Sequence, residues 1–303
     1  MGIDYSKQSI DKADILKVEK ALKDRLITTG NKVPVFEKKI SNFVGSKFSV
    51  AVNSATSALH IACMALNLKK NDFLWTSCNT FVASVNCGIY CGAKIDLVDI
   101  DKDDLNLSLT HLTKKLEKAK KEKKIPKILI PVHFSGYSCH MEEIYELSKF
   151  YGFKIIEDAS HAFGGKYKDT NIGSCKFSHI TVFSFHPTKI ITTIEGGVAC
   201  TNSKKLGLAM MKYRSHGIQR EKKQIKNTFI NYYQDQLGYN YRMNDIQAAL
   251  GISQLNKVKK FIKKRKIIAT FYSKNLNSKL FDFPSIKQIS SSTNHLFVVR
   301  LKY

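Results

Sequence analysis

Short apolar runs alternate with helical patterns from about residue 45 to residue 200, and this alternation constrains the fold more than any other feature. The first unit is "KFSVAVNSATSALHIACMAL", in which a strand-like run, a polar turn and a helix-like pattern follow one another. Strands that alternate with helices are typical of parallel βαβ units, because a crossover helix returns each strand to the same edge. The sequence therefore predicts an α/β fold with a mixed, mostly parallel sheet.

The rest of this region repeats the pattern. Strands are predicted at "DFLWTS", "AKIDLVDID", "PKILIPVHF", "FKIIEDASH", "HITVFSF" and "GGVACTN". Helices are predicted at "FVASVNCGIY", "HLTKKLEKAKKEKK" and "MEEIYELSKFYG", the last of which ends at a glycine.

The pattern changes at about residue 244. The run "NDIQAALGISQLNKVKKFIKKRKIIATFYSKNL" predicts one long helix with Asn244 as its N-cap. A polar loop and a strand, "SSSTNHLFVVRLKY", follow it. We therefore predict a large domain at residues 1–243, with an N-terminal segment at 1–30, and a small C-terminal domain at 244–303 that is incomplete.

The formal net charge of +24 raises the question of a nucleic-acid partner. The densest basic run, "KKLEKAKKEKK", interleaves Glu with Lys and is typical of one solvated helix. No zinc finger or aromatic-interleaved basic stripe accompanies it. We expect no nucleic-acid partner, since anionic small molecules suit the charge equally well. A basic protein that binds nucleic acid stays the alternative from a different functional class.

The seven cysteines are dispersed and form no CxxC pair, so we expect buried free thiols, no disulfide and no metal site. The chain has no apolar run of membrane-spanning length, and its N-terminus has no apolar signal core. We therefore expect a cytoplasmic protein without a membrane partner.

Polar and aromatic residues follow the predicted strands, and ligands of open α/β sheets bind outside the carboxyl ends of the strands. The residues concerned are Ala55 and Thr56 at a helix N-terminus, Phe81, Asp158, His161, Ser184 and Lys189. Each has an ordinary alternative: an N-cap, a core aromatic, a turn carboxylate or a hydrogen-bonded structural histidine. Their order along the chain is more specific than any one of them.

Together these groups match the needs of pyridoxal 5'-phosphate. A lysine bonds to the cofactor, and a carboxylate keeps the pyridine nitrogen protonated so that the ring accepts electrons. Free amides at a helix N-terminus hold the phosphate. The residues therefore predict a pyridoxal phosphate site around Lys189.

The chain resembles the DegT/DnrJ-type sugar aminotransferases. The resemblance rests on "LITTGNKVPVFEKKISNFVG", "AVNSATSALHIAC", "TSCNTFVASVN", "PVHFSG", "IIEDASHAFGG", "TVFSFHPTKIITTIEGG", "RSHGI" and "GYNYRMNDIQAALGISQL", which cover nearly the whole chain in family order. It implies fold type I of the pyridoxal phosphate-dependent transferases, as in aspartate aminotransferase. The sequence is most similar to those of the subgroup that makes the 4-amino sugar precursor of pseudaminic acid.

The resemblance implies a role for each site residue. Lys189 is the Schiff-base lysine and the acid/base, Asp158 pairs with the pyridine nitrogen, and His161 lies against the ring. Phe81 stacks on the ring, while Ala55, Thr56 and Ser184 hold the phosphate. Asn240 reaches the phosphate of the neighbouring subunit in a homodimer with shared active sites. Thr29, His186, Arg214 and His216 are candidate substrate contacts, although local packing is an equal alternative for His186.

The implied reaction moves the amino group of L-glutamate to C4 of a UDP-linked 4-keto-6-deoxy-N-acetylhexosamine. A different 4-keto nucleotide sugar is the alternative within this chemistry. A sugar dehydratase of the same fold is disfavoured because related dehydratases carry histidine where this chain has Lys189. The alternative outside aminotransferase chemistry is a non-catalytic, C-terminally truncated homologue that binds pyridoxal phosphate.

Overall fold

A computed structural model of the chain describes residues 6–220 and 232–302. Its strands are β1 (Phe48–Val52), β2 (Phe73–Ser77), β3 (Lys94–Val98), β4 (Ile128–Ile130), β5 (Lys154–Asp158), β6 (Lys166–Tyr167), β7 (Thr170–Asn171), β8 (Ile180–Ser184), β9 (Gly197–Thr201), β10 (Ile218–Arg220), β11 (Tyr232–Gln234), β12 (Phe281–Asp282) and β13 (Arg300–Leu301). Its helices are α1 (Lys12–Leu22), α2 (Lys32–Val44), α3 (Ala55–Ala65), α4 (Ala83–Tyr90), α5 (Leu109–Lys121), α6 (Met141–Tyr151), α7 (Lys204–Arg214), α8 (Asp245–Leu255), α9 (Val258–Asn275) and α10 (Ile286–Ser291), with a 3₁₀ turn at Phe134–Gly136.

Seven strands form the central sheet, in the order β1–β9–β8–β5–β4–β2–β3. β2, β3, β4, β5 and β8 pair in parallel, whereas β9 pairs antiparallel with both β1 and β8. Of these seven strands, β9 alone therefore runs against the rest. The prediction of a mixed, mostly parallel sheet is confirmed, and the carboxyl ends of the other six strands meet at one edge.

The sheet is buried on both faces, as parallel sheets usually are. On β4, Ile128 and Ile130 belong to the apolar cluster beneath α3 and α4, while Leu129 between them belongs to the cluster beneath α5 and α6. This arrangement explains why the strands read as continuous apolar runs rather than as alternating ones. It also makes the sheet a rigid platform for residues at its edge.

The predicted single helix from residue 245 to 276 is wrong, since two helices replace it. Asn244 does cap α8, and its capping box with Gln247 confirms the predicted start. α8 ends at Leu255, and α9 begins at Val258. At the break, Asn256 is a poor helix former and the Lys257 ammonium pairs with Asp14 and Asp11 of the α1 region.

The C-terminal part of the described chain packs back onto the large domain. β12 and β13 pair antiparallel, and Thr293 donates hydrogen bonds to Gly136 O (3.1 Å) and His161 O (2.7 Å). The terminal strand therefore has a partner in β12. The division at residue 244 and the incomplete second domain stay predictions.

All seven cysteines are free thiols, but they are not all buried as expected. Five are buried, Cys91 is partly buried and Cys78 is exposed. In the described part of the chain, no helix is long and apolar enough to cross a membrane, and no three metal-ligating side chains cluster together.

Candidate active site

A cavity of about 700 Å³ opens at the edge where the six strands end. Eight of the twelve predicted site residues line it, namely Ala55, Thr56, Phe81, Asp158, His161, Ser184, His186 and Lys189. They lie at the ends of β5 and β8, at the N-terminus of α3 after β1, and in the loops that follow β2, β5 and β8. The sheet topology thus brings together residues that lie up to about 130 positions apart in sequence, because the strands that precede them run in the same direction.

Lys189 lies five residues beyond β8, in a turn where its N–H donates to His186 O at 2.9 Å. The side chain is half-buried, and its ammonium has no hydrogen bond or ion pair within residues 6–220 and 232–302. Burial lowers the pKa of this ammonium, while the nearby Asp158 carboxylate opposes that effect. A lysine that is partly desolvated and unpaired is available as a nucleophile or base.

Asp158 ends β5 and is 4% exposed. Its Oδ2 accepts a hydrogen bond from Ser84 Oγ at 2.6 Å, and its Oδ1 accepts from Ser160 Oγ at 2.6 Å and Ser160 N at 3.1 Å. Three donors fix the orientation of the carboxylate while the side chain still borders the cavity. Neither serine is predicted as a site residue from the sequence.

Ser160 follows Asp158 by two positions, a spacing typical of a local turn, so the sequence held a signal for it. Ser84 comes from α4, and no local spacing connects it with β5.

His161 lies on the cavity wall beside Lys189. Its Nδ1 is buried and has no hydrogen-bond partner in the described residues. Its ring lies 4.3 Å from the ring of His295 and 6.2 Å from that of Phe134, measured between centroids. Burial is the main cause that lowers the pKa of His161, and the Lys189 charge adds to it. The neutral imidazole therefore prevails near pH 7.

His295 is a second cavity residue that the sequence analysis missed. Its N–H donates to Ser135 O at 2.9 Å, and Arg265 Nη1 donates to its carbonyl at 3.0 Å. Burial lowers its pKa strongly, and the neighbouring His161, Lys189 and Arg265 lower it further. The run "TNHLF" contains no local spacing that would place this histidine opposite His161.

The N-terminus of α3 borders the same cavity. Ser54 is the N-cap and accepts a hydrogen bond from Ser57 N at 3.1 Å, so the amides of Ala55 and Thr56 precede the capped position. A Cβ on Gly197 would lie 2.5 Å from Ala55 N. Only glycine therefore allows β9 to pass this closely to the helix N-terminus, where amides and the helix dipole favour an anion.

The residues present fit pyridoxal phosphate. Ala55 and Thr56 amides with Ser184 would hold its phosphate, Asp158 would hold its pyridine nitrogen, and Lys189 would bond to it. Nδ1 of His161 and the ammonium of Lys189 are polar groups that have no partner among the residues that the structure describes. Phe81 is 72% exposed at the cavity mouth, so its ring face is free to cover a ligand.

Thr29, Arg214 and His216 line a different cavity, of about 600 Å³. Arg214 Nη1 donates to Glu37 Oε1 at 2.5 Å and to Ala51 O at 2.6 Å, so its guanidinium braces the edge strand β1. Within one chain, these three residues do not line the cavity that contains Lys189. Their predicted substrate contacts stay predictions.

Asn240 is exposed and does not line the Lys189 cavity of its own chain. Its backbone bridges that of Ser215. The predicted role at the phosphate of a neighbouring subunit requires a residue that faces outward, and it stays a prediction.

Comparisons with known proteins identify the family of this chain. The model of the DegT/DnrJ/EryC1/StrS aminotransferase family matches residues 8–303. The chain is 40% identical over 300 residues to UDP-4-amino-4,6-dideoxy-N-acetyl-beta-L-altrosamine transaminase of Campylobacter jejuni, which covers 99% of this chain and 76% of that relative.

Two solved structures are also similar. Helicobacter pylori PseC, an aminotransferase involved in the biosynthesis of pseudaminic acid, superposes with a TM-score of 0.88 at 31% identity, over all of this chain and 78% of that one. The PMP-form of the putative sugar aminotransferase Spr1654 from Streptococcus pneumoniae gives 0.88 at 26% identity, over 99% of this chain and 79% of that one.

Proposed function

The chain belongs to the DegT/DnrJ/EryC1/StrS aminotransferase family, and we propose that it transfers the amino group of L-glutamate to C4 of a UDP-linked 4-keto-6-deoxy-N-acetylhexosamine in pseudaminic acid biosynthesis. As a member of this family it is a pyridoxal phosphate-dependent nucleotide-sugar aminotransferase. The observation that carries the proposal is the meeting of Lys189, Asp158 and the α3 N-terminus in one cavity.

Lys189 is proposed as the group that moves the proton. When bound, pyridoxal phosphate supplies an electron sink for the negative charge that develops at the substrate carbon. Lys189 Nζ takes the proton from the α-carbon of glutamate and later gives a proton to C4 of the sugar. Burial favours the neutral amine that the first step needs, because it lowers the pKa of Lys189.

The other cavity residues bind and orient. Asp158 would face the pyridine nitrogen, because the hydrogen bonds from Ser84 and Ser160 orient its carboxylate. His161, in its neutral form, would lie against the ring, and Phe81 would cover the other ring face. We assign sugar or donor contacts to His186, which lines the Lys189 cavity, and to Thr29, Arg214 and His216, which lie in the second cavity.

The proposal includes a homodimer with shared sites, in which Asn240 reaches the partner's phosphate. An apolar cavity of about 460 Å³ beside α1 supports it, lined in part by the exposed Ile10, Ile15, Leu22 and Ile194. Isologous dimers are the commonest oligomers and bury such surfaces. We place the enzyme in the cytoplasm, where nucleotide sugars and L-glutamate are available.

The proposal is tested first by absorbance. The purified chain with added pyridoxal phosphate should show the visible band of the lysine-bound cofactor, and L-glutamate should bleach it. Lys189→Ala should show only the spectrum of the free or non-covalently held cofactor. A folded protein that shows no lysine-bound band would favour the non-catalytic alternative.

Substrate identity is tested by turnover. The glutamate-treated enzyme should regain its visible band when a UDP-linked 4-keto-6-deoxy-N-acetylhexosamine is added, as ping-pong kinetics require. Recovery only with another 4-keto nucleotide sugar would replace the sugar in the proposal. Bleaching by glutamate without recovery on any such sugar would leave a chain that completes only the first half-reaction.

A further inference from the structure

A cluster of four aromatic side chains lies behind the segment that carries Asn240. His60, on α3, is 3% exposed, and its ring centroid lies 4.9 Å from that of Tyr239 and 5.9 Å from that of Tyr241. The Tyr241 hydroxyl and His60 Nδ1 are hydrogen-bonded at 3.2 Å. Tyr239 and Tyr241 stack on each other with 4.9 Å between centroids and 13° between planes. Tyr90 of α4 closes the cluster against His60 at 5.2 Å.

The backbone of the same segment is tied at every residue. Tyr239 N donates to Tyr213 O at 2.7 Å, and Tyr241 N donates to Arg214 O at 3.1 Å. Tyr241 O accepts from Asn53 N at 2.9 Å, and the backbone of Asn240 bridges Ser215. The segment is therefore extended and held between the end of α7 and the end of β1.

Extended backbone sends successive side chains to opposite sides. Because Tyr239 and Tyr241 both turn inward onto His60, Asn240 between them must face outward. It is exposed, and its side chain makes no hydrogen bond to any described residue. Two tyrosines and a buried histidine thus hold the side chain of Asn240 at the surface.

We infer that the His60–Tyr239–Tyr241 stack is a positioning device that aims Asn240 at the cofactor phosphate of a second copy of this chain. This inference rests on the proposed function, in which Asn240 completes the partner's site. Burial keeps His60 neutral by lowering its pKa, so the stack does not change with pH near neutrality. His60, Tyr239 and Tyr241 do not line the Lys189 cavity of their own chain and act only through Asn240.

The test measures cofactor affinity rather than turnover. Apoenzyme is titrated with pyridoxal phosphate, borohydride fixes the cofactor on Lys189, and mass spectrometry of the Lys189 peptide gives the labelled fraction. Asn240→Ala should weaken the affinity about tenfold, the cost of one hydrogen bond to a charged group. Tyr241→Ala should weaken it to a similar extent, and Tyr241→Phe should weaken it less because the ring remains. The matched control, Tyr145→Ala, removes an aromatic contact with Phe177 outside the cluster and should leave the affinity unchanged.

Mixed dimers separate action on the partner from action on the chain's own site. Co-expression of differently tagged Lys189→Ala and Tyr241→Ala chains gives a dimer whose single labelled lysine lies on the Tyr241→Ala chain and faces an intact Asn240. If the stack positions Asn240 for the partner, this lysine recovers wild-type affinity, which also shows that Tyr241→Ala chains fold. Affinity that stays weak in the mixed dimer overturns the inference. In that case Tyr241→Ala weakens cofactor binding at the N-terminus of α3 in its own chain.

The shared site itself is tested by the same dimer made with Asn240→Ala. If Asn240→Ala homodimers bind the cofactor as wild type does, or if their mixed dimers fail to recover, the role of Asn240 in the partner's site is wrong. A different result is expected if only the role of the stack is wrong. Mixed dimers with Asn240→Ala then recover wild-type affinity, whereas mixed dimers with Tyr241→Ala do not.

Discussion

Glu157 and Asp158 are consecutive residues of β5 and lie on opposite faces of the sheet. Asp158 borders the Lys189 cavity, whereas Glu157 is buried behind it and accepts hydrogen bonds from His133 Nε2 (2.8 Å), Thr181 Oγ1 (2.7 Å) and Ser178 Oγ. Each carboxylate has donors that satisfy it. The difference lies in access, because of these two only Asp158 borders the cavity, and this distinguishes the proposed catalytic carboxylate from a structural one.

The histidine beside Glu157 is hydrogen-bonded at both ring nitrogens. His133 Nδ1 accepts a hydrogen bond from Cys139 N at 3.2 Å, so Nε2 carries the proton that is donated to Glu157. His133 N also donates to Asp158 O at 3.0 Å. The Glu157 network therefore supports the strand end that presents Asp158, although it does not touch the cavity.

The largest effect is expected from Asp158→Asn. A neutral amide cannot hold the positive charge of the pyridine nitrogen, so the rate of the glutamate half-reaction should fall by about 10³-fold. The asparagine oxygen can still accept from Ser160, and the Ser84 hydroxyl can turn to accept from the asparagine amide, so the unfolding midpoint in urea should change little. Stopped-flow absorbance and urea titration measure the two quantities. A variant that keeps wild-type rates would show that access alone does not make Asp158 catalytic.

Glu157→Gln should show the reverse pattern. It replaces a carboxylate with three donors by an amide that cannot satisfy them all, so the free energy of unfolding of the apoprotein should fall by about 2 kcal/mol. The half-reaction rate of the folded variant should remain near that of wild type, apart from a small effect through His133. A large loss of rate with unchanged stability would contradict the assignment of Glu157 to the structure.

The stability that Glu157 provides should depend on pH. Burial by itself would raise the pKa of Glu157, but the hydrogen bonds from His133, Ser178 and Thr181 outweigh it and lower the pKa below 4.5. A carboxyl whose pKa is lowered on folding stabilises the protein fully above its unfolded pKa and loses that contribution as the pH falls through its folded pKa. The difference in unfolding free energy between wild type and Glu157→Gln should therefore be constant from pH 6 to 7 and shrink below about pH 4.5.

The sequence could predict the parts of the site that follow strand ends. Asp158, Ser184 and Lys189 lie in one cavity because apolar runs mark β5 and β8, and parallel strands end at one edge. Ser84 and His295 were not predicted, since they reach the site from α4 and from the C-terminal segment through tertiary packing. The break between α8 and α9 was missed for a similar reason, because the ion pairs of Lys257 with the α1 region form only in the folded chain.

The smallest effects are expected from a matched pair of serines, one bonded to each carboxylate. Ser84→Ala removes the 2.6 Å hydrogen bond to Asp158 Oδ2, so the carboxylate is less firmly oriented and the half-reaction should slow by about fivefold, with little change in stability. Ser178→Ala removes one of the three donors to Glu157 and should lower the free energy of unfolding by about 1 kcal/mol, with the rate unchanged.

Stopped-flow traces and urea titrations on both serine variants decide the comparison. If Ser84→Ala and Ser178→Ala slowed the reaction equally, the two faces of β5 would act as one network, and Glu157 would have to be counted as a positioning residue. If Ser84→Ala changes only the rate and Ser178→Ala changes only the stability, the two adjacent carboxylates act independently because the sheet separates them.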